Sequence, residues 1–156
     1  MGQEDCLYLN VYSPDIPVTE NQRKLPVLVW LLGHSFTQGN HDIYAPDRFM
    51  DTKELLIVTV TYRLGVFGFL SLGIEECPGN QGLWDQVLAL EWIRDNICAF
   101  GGDNSNVTLV GHGCGSICAS YHLGRVRLKI TLKKFYVEVT LICKFRKVLQ
   151  SNIFIL

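Results

Sequence analysis

Apolar and polar positions follow three different rhythms along this chain. Leu7-Tyr8-Leu9-Asn10-Val11-Tyr12 alternates, which predicts a short strand, and Ser13-Pro14-Asp15 ends it. A polar loop runs to Lys24, and then Pro26-Val27-Leu28-Val29-Trp30-Leu31-Leu32 is continuously apolar up to Gly33. A run of strand length without alternation predicts a strand buried on both faces, as in a helix-covered sheet. Residues Leu55 to Tyr62 repeat that pattern. From Leu83 to Phe100 the apolar positions 83, 84, 87, 88, 90, 92, 93 and 97 form a helical stripe, which Gly101-Gly102 closes. Asn106 to Gly111 predicts another short strand, and residues 114–123 the start of a second helix.

Buried strands alternating with helices make an α/β chain with a mostly parallel central sheet flanked by helices. In such sheets the functional positions lie at the carboxyl ends of the strands. Here those ends are Gly33-His34-Ser35-Phe36 and Gly111-His112-Gly113-Cys114-Gly115. The tail breaks the rhythm. From Val126 to Leu141 apolar residues alternate with Arg127, Lys129, Thr131 and Lys133, then with Tyr136, Glu138 and Thr140.

Charge sharpens that break. Residues 1–123 hold six Lys/Arg against fourteen Asp/Glu, whereas residues 124–156 hold eight against one. Such a split marks a basic tail, a partner-binding segment or two joined sequences. The basic face of the tail has no aromatic stacking set and no nucleic-acid motif beside it, so no nucleic-acid partner is expected. With 48% hydrophobic and 19% charged residues the chain is not of disordered composition. It contains no apolar run of transmembrane length, and Met1-Gly2-Gln3-Glu4-Asp5 lacks the basic-then-apolar order of a secretory signal. The cysteines Cys6, Cys77, Cys98, Cys114, Cys118 and Cys143 show no zinc-site spacing. Cys114 and Cys118 stand one helical turn apart, and they read as small buried residues before they read as metal ligands. No metal and no cofactor is expected.

Several segments in succession resemble the type-B carboxylesterase/cholinesterase family, whose domain is an α/β-hydrolase fold. Glu4-Asp5-Cys6-Leu7-Tyr8-Leu9-Asn10 is similar to that family's EDCLYLN signature, and Pro26 to Trp30 to the strand leading into its HGGGF loop. Thr61-Tyr62-Arg63-Leu64-Gly65-Val66-Phe67-Gly68-Phe69-Leu70 resembles its YRLGxxGFL stretch. Gly79-Asn80-Gln81-Gly82-Leu83-Trp84-Asp85-Gln86 through Phe100-Gly101-Gly102-Asp103 resembles its GNxGLxDQ…FGGD block. The resemblance implies a serine esterase in a family usually secreted or found at the cell surface. It also implies a disulfide from Cys6 to a cysteine upstream of the signature, a partner this chain is expected to lack.

The departures carry the functional reading. The family's nucleophile elbow is G-x-S-x-G, read as GESAG. The corresponding residues are Gly111-His112-Gly113-Cys114-Gly115, so the elbow glycines Gly111 and Gly115 remain and Gly113 stands at the nucleophile position. Of the neighbours, Cys114 corresponds to the residue that gives a backbone N–H to the oxyanion, and Ser116 lies nearly a helical turn further on; neither is expected to replace the nucleophile. In the HGGGF loop the two glycines that donate to the oxyanion are replaced by His34 and Ser35. A lone strand-end histidine such as His34 is expected to be structural rather than a general base. The acid and histidine of the family's triad are expected beyond residue 156, and His41, His112 and His122 do not match the context of its catalytic histidine.

These departures predict a carboxylesterase-like segment unable to hydrolyse esters and without a small ester substrate. Two alternatives stay open. One is a catalytically silent adhesion or partner-binding protein like the neuroligin/neurotactin-like branch, with a protein partner. The other is an active ester hydrolase in a complete gene product. The domain organisation expected is residues 1–123 from a carboxylesterase domain, 124–144 an unrelated basic stretch read as translated intron, and 145–156 a resumption of the domain. A partial α/β-hydrolase fold, incomplete at both ends, would leave a bare sheet edge and poor solubility. Asn106-Val107-Thr108 matches a glycosylation sequon at the start of a predicted buried strand, and coincidence is the reading preferred there. Glu4, Asp5 and Arg63 are expected to form structural ion pairs.

Overall fold

A computed structural model describes residues 5–15, 23–33, 35–37 and 46–123, together with the backbone of strands at 132–138 and 153–154. In chain order the elements are β1 (Leu9–Tyr12), β2 (Leu25–Leu31), α1 (Asp47–Met50), β3 (Leu56–Val60), α2 (Gly65–Phe69) and α3 (Gln81–Asn96). A 3-10 turn (Ile97–Phe100), β4 (Gly102–His112), α4 (Cys114–Leu123), β5 (Leu132–Glu138) and β6 (Ile153–Phe154) follow. The four strands and the long helix predicted by periodicity are all present. The single-turn helices α1 and α2 were not predicted, because one turn is too short to show a 3.6-residue stripe.

Among the described residues the strands form one sheet in the order β1-β3-β2-β4-β5-β6. β1 is antiparallel to β3, and every other pairing is parallel. The order turns around at β2: its crossover leads to β3 on one side, and β4 returns to its other side. This is a topological switch point, the place where open α/β sheets carry their functional positions.

Strand register explains where the core lies. Val27, Val29 and Leu31 stand beside Leu56, Val58 and Val60 on one side, and Val27 and Val29 beside Val107 and Leu109 on the other. All of these side chains face α3 and α4, and Leu90, Ile93, Ile97, Cys118 and Ala119 complete the cluster. The opposite face carries Leu28 and Trp30, which are half-buried. The expectation that both continuous apolar runs are buried on two faces therefore holds for β3, whose five residues are all buried, and not for β2. Both long helices pack on the same side, so β2 alternates in burial although its sequence does not.

The tail adds to the sheet. The charge break sets 124–144 apart in sequence, yet Leu132–Glu138 continues the sheet, parallel to β4 from Val107 to His112. The β4 edge is therefore covered by β5, and β6 lies beyond it. The alternating pattern of the tail is of the kind a sheet accepts whatever its origin. Phe145 to Ser151, the resumed resemblance, lies outside the described residues.

Candidate functional site

Two strand ends meet at the switch point. After Leu31, the backbone of β2 runs through buried Leu32 and Gly33. After His112, β4 turns at Gly113 and α4 starts at Cys114. The turn is sharp because Gly113 has φ +57°, a left-handed conformation open to glycine and strained for other residues. α4 then lies almost directly on the sheet. A Cβ on Gly115 would overlap the carbonyl oxygen of Leu31, and one on Gly111 would lie 2.5 Å from the Gly115 oxygen and from the Ser116 nitrogen. Small residues on the inner face of α4, Cys114, Gly115, Ser116, Cys118 and Ala119, permit that approach, and all are buried.

One hydrogen bond ties the turn to the end of β2 and another closes the turn on itself. The Cys114 N–H donates to the Gly33 oxygen at 3.2 Å, and the Ser116 N–H to the Gly113 oxygen at 3.1 Å. A Cβ placed on Gly113 would lie 2.7 Å from the same Gly33 oxygen. Ser116, fully buried, donates its hydroxyl to the Gly111 oxygen at 2.6 Å. Its proton is thus held on a backbone carbonyl.

A buried polar row supports the site from below. The Tyr62 hydroxyl donates to the Leu32 oxygen at 2.6 Å. Burial, reinforced by the neighbouring Cys118 and Cys114 thiols, raises the Tyr62 phenol well above its ordinary range, so it remains a donor. Burial also raises the Cys118 thiol, against the opposing hydrogen bonds of Gln86 and Tyr62. A protonated, fully enclosed thiol is not a nucleophile. Next to it His122 Nε2 lies 2.8 Å from Gln86 Oε1, and both residues are buried.

The remaining sequence candidates fall as follows. His34 and His41 lie outside the described residues. Ser35 is exposed, and it and Phe36 have φ +53° and +59°, left-handed values at two successive non-glycine residues. The Phe36 oxygen accepts from the Gly65 N–H at 2.6 Å, and its ring meets Phe69 edge-on at 4.9 Å. His112 is half-buried at the end of β4. Asn106 is half-buried near the middle of β4, which begins earlier than its sequence predicts. Cys114 and Cys118 are buried cysteines, and Cys6 is half-buried and not in a disulfide. Among the described residues no group of three or more His, Cys, Asp or Glu side chains is placed to hold a metal ion.

Arg63 does form a structural ion pair. Its Nε and Nη2 donate to the two carboxylate oxygens of Asp85 at 2.8 and 2.6 Å, and its backbone N–H adds a third bond at 3.1 Å. Asp5 instead accepts the Tyr8 hydroxyl at 2.7 Å. Glu4 lies outside the described residues. Sequence reasoning missed Tyr62 and Asp85 as supports of the site. Their signal was positional: Tyr62 and Arg63 follow directly on β3, and Asp85 lies one turn into α3.

The geometry is thus a strand-turn-helix elbow at a switch point, with glycine at its apex and its first helical N–H already bonded. The family model described as "Carboxylesterase family" matches residues 1–134. The juvenile hormone esterase of Tribolium castaneum is 48% identical over 124 residues, which cover 78% of this chain and 20% of that protein. An acetylcholinesterase of Leptinotarsa decemlineata is 43% identical over 137 residues, 77% of this chain and 22% of that protein. Carboxylesterase 5A of Felis catus is 46% identical over 119 residues, 76% of this chain and 22% of that protein. The chain spans about a fifth of the length of these relatives. Over that fifth, and over most of its own length, the chain belongs to the carboxylesterase family.

Proposed function

We propose that this carboxylesterase-family chain does not hydrolyse esters at its elbow. The observation that carries the reading is Gly113: the apex of the strand-turn-helix, where a G-x-S-x-G elbow presents its hydroxyl, has no side chain. Acyl transfer by this route needs a nucleophile that forms and then releases a covalent ester. Removing the nucleophile from a serine hydrolase lowers turnover by about 10⁶. The nearby candidates do not supply one. Ser116 is fully buried and donates to the Gly111 oxygen, and Cys118 is enclosed as a thiol. Hydrolysis also draws on backbone donors for the developing oxyanion, and one of them, the Cys114 N–H, is engaged with Gly33.

Hydrolysis of p-nitrophenyl butyrate by the purified chain tests this reading. The expected result is a rate equal to that of buffer containing an inert protein. Steady turnover that co-purifies with the chain and disappears in Ser116→Ala or Cys114→Ala would overturn it.

A further inference from the structure

The empty nucleophile position is not open space. We propose that the Gly33 carbonyl is a built-in occupant of the elbow, which closes the site a second time, independently of the lost side chain. Calling the turn a catalytic remnant rests on the function proposed above; the contact itself does not.

Two observations on the same oxygen carry the inference. The first N–H of a helix has no partner inside the helix, and it is the group an incoming anion or oxyanion would use. At α4 that group, the Cys114 N–H, already donates to the Gly33 oxygen at 3.2 Å. The same oxygen stands 2.7 Å from where a Cβ on Gly113 would be, closer than side chains tolerate. One carbonyl therefore takes both the donor and the volume that a serine ester would need.

The backbone just before this carbonyl is held in place. On its amino side the Leu32 oxygen is held by the Tyr62 hydroxyl at 2.6 Å. Around Gly33 itself, the positions a Cβ would take are 2.9 Å from both the Gly115 nitrogen and the Tyr62 hydroxyl oxygen. Restoring serine at position 113 alone would thus bring its Cβ to 2.7 Å from a backbone oxygen. Reopening the elbow requires the β2 loop to move as well.

A matched pair of substitutions isolates the contact. Gly65 and Gly113 both have φ +57°, but a Cβ on Gly65 meets nothing within 4 Å. Gly65→Ala therefore reports the left-handed backbone penalty alone, and Gly113→Ala reports that penalty plus the Gly33 oxygen. Urea midpoints and amide hydrogen exchange at Cys114 are the readouts. The expected result is a larger fall in midpoint for Gly113→Ala than for Gly65→Ala. Exchange at Cys114 should also become about tenfold faster in Gly113→Ala only, the size of one lost hydrogen bond. Equal midpoints with unchanged exchange would overturn the proposal. Should Gly113→Ala not fold, the unmodified chain decides: a protected Cys114 amide supports the closure, and exchange at the free-peptide rate refutes it. A covalent serine adduct would refute the silent elbow while leaving the amide result untouched, so the two failures are distinguishable.

Discussion

Gly115→Ala tests how closely α4 is seated on the sheet, because local and tertiary effects predict opposite signs. Alanine is the better helix former by about 1 kcal/mol, so an unconstrained site in a helix would be stabilised. Here the new Cβ would overlap the Leu31 oxygen and lie 2.8 Å from the Leu31 carbonyl carbon. Both are backbone atoms of a buried residue whose strand is paired on both sides, to Val60 and to Gly111. β2 cannot retreat, so α4 must lift. Overpacking of this kind costs about 1–3 kcal/mol. Lifting also strains the Cys114–Gly33 and Ser116–Gly111 hydrogen bonds, each worth about 1 kcal/mol. Set against the propensity gain, the net loss is about 2 kcal/mol. With a urea dependence of about 2 kcal/mol per molar, the midpoint should fall by about 1 M. Equilibrium unfolding followed by circular dichroism measures it. A midpoint unchanged or raised would mean that the helix does not rest on Leu31, and the account of the elbow would fail with it.

The Arg63–Asp85 pair predicts an asymmetry. Arg63→Met strands an Asp85 side chain that is 5% exposed and should cost about 3 kcal/mol, whereas Asp85→Asn leaves an arginine that is 38% exposed and can be hydrated, for about 1 kcal/mol. Urea midpoints in the reverse order would contradict this. Tyr62 keeps its proton in the fold beyond the point where the unfolded chain loses it. Its contribution is therefore complete below about pH 10 and declines as pH rises, by up to about 1.4 kcal/mol per pH unit. Unfolding midpoints of the unmodified chain should fall more steeply above pH 10 than those of Tyr62→Phe, and parallel curves would refute the assignment. Finally, Val66, Phe67, Leu72, Trp84 and Leu88 are all more than half exposed. An apolar surface of that kind predicts concentration-dependent self-association, which Leu88→Lys combined with Val66→Lys should reduce in sedimentation velocity; no change would move its cause elsewhere.

That last prediction shows where sequence and structure part. Poor solubility is expected from the bare edge of a partial sheet, and Leu132–Glu138 covers the edge of β4. The apolar outer face of α3 and the α2 turn now carry the prediction instead. Periodicity revealed α3 and β4 because each places its apolar residues against one surface, and β3 because its unbroken apolar run is covered on both faces. Gly101, which ends the 3-10 turn at φ +85°, was legible for the same local reason: a left-handed position selects glycine. The alternating burial of β2 was not legible, since its sequence is apolar throughout and only the placement of α3 and α4 on one face decides which residues are covered. At the elbow, Gly113 and its flanking glycines could be located from spacing. That the Gly33 carbonyl would turn onto the Cys114 N–H could not, because it depends on where two strands distant in sequence end. Tyr62 belongs to the same class, as its hydroxyl finds Leu32 across two neighbouring strands.

The proposed silence of the elbow is tested most directly by incubating the unmodified chain with a fluorophosphonate and mapping adducts by mass spectrometry, beside an active serine esterase. The account predicts complete labelling of the esterase and no phosphonylated serine in this chain. A stoichiometric adduct on Ser116, or on any other serine, would contradict it.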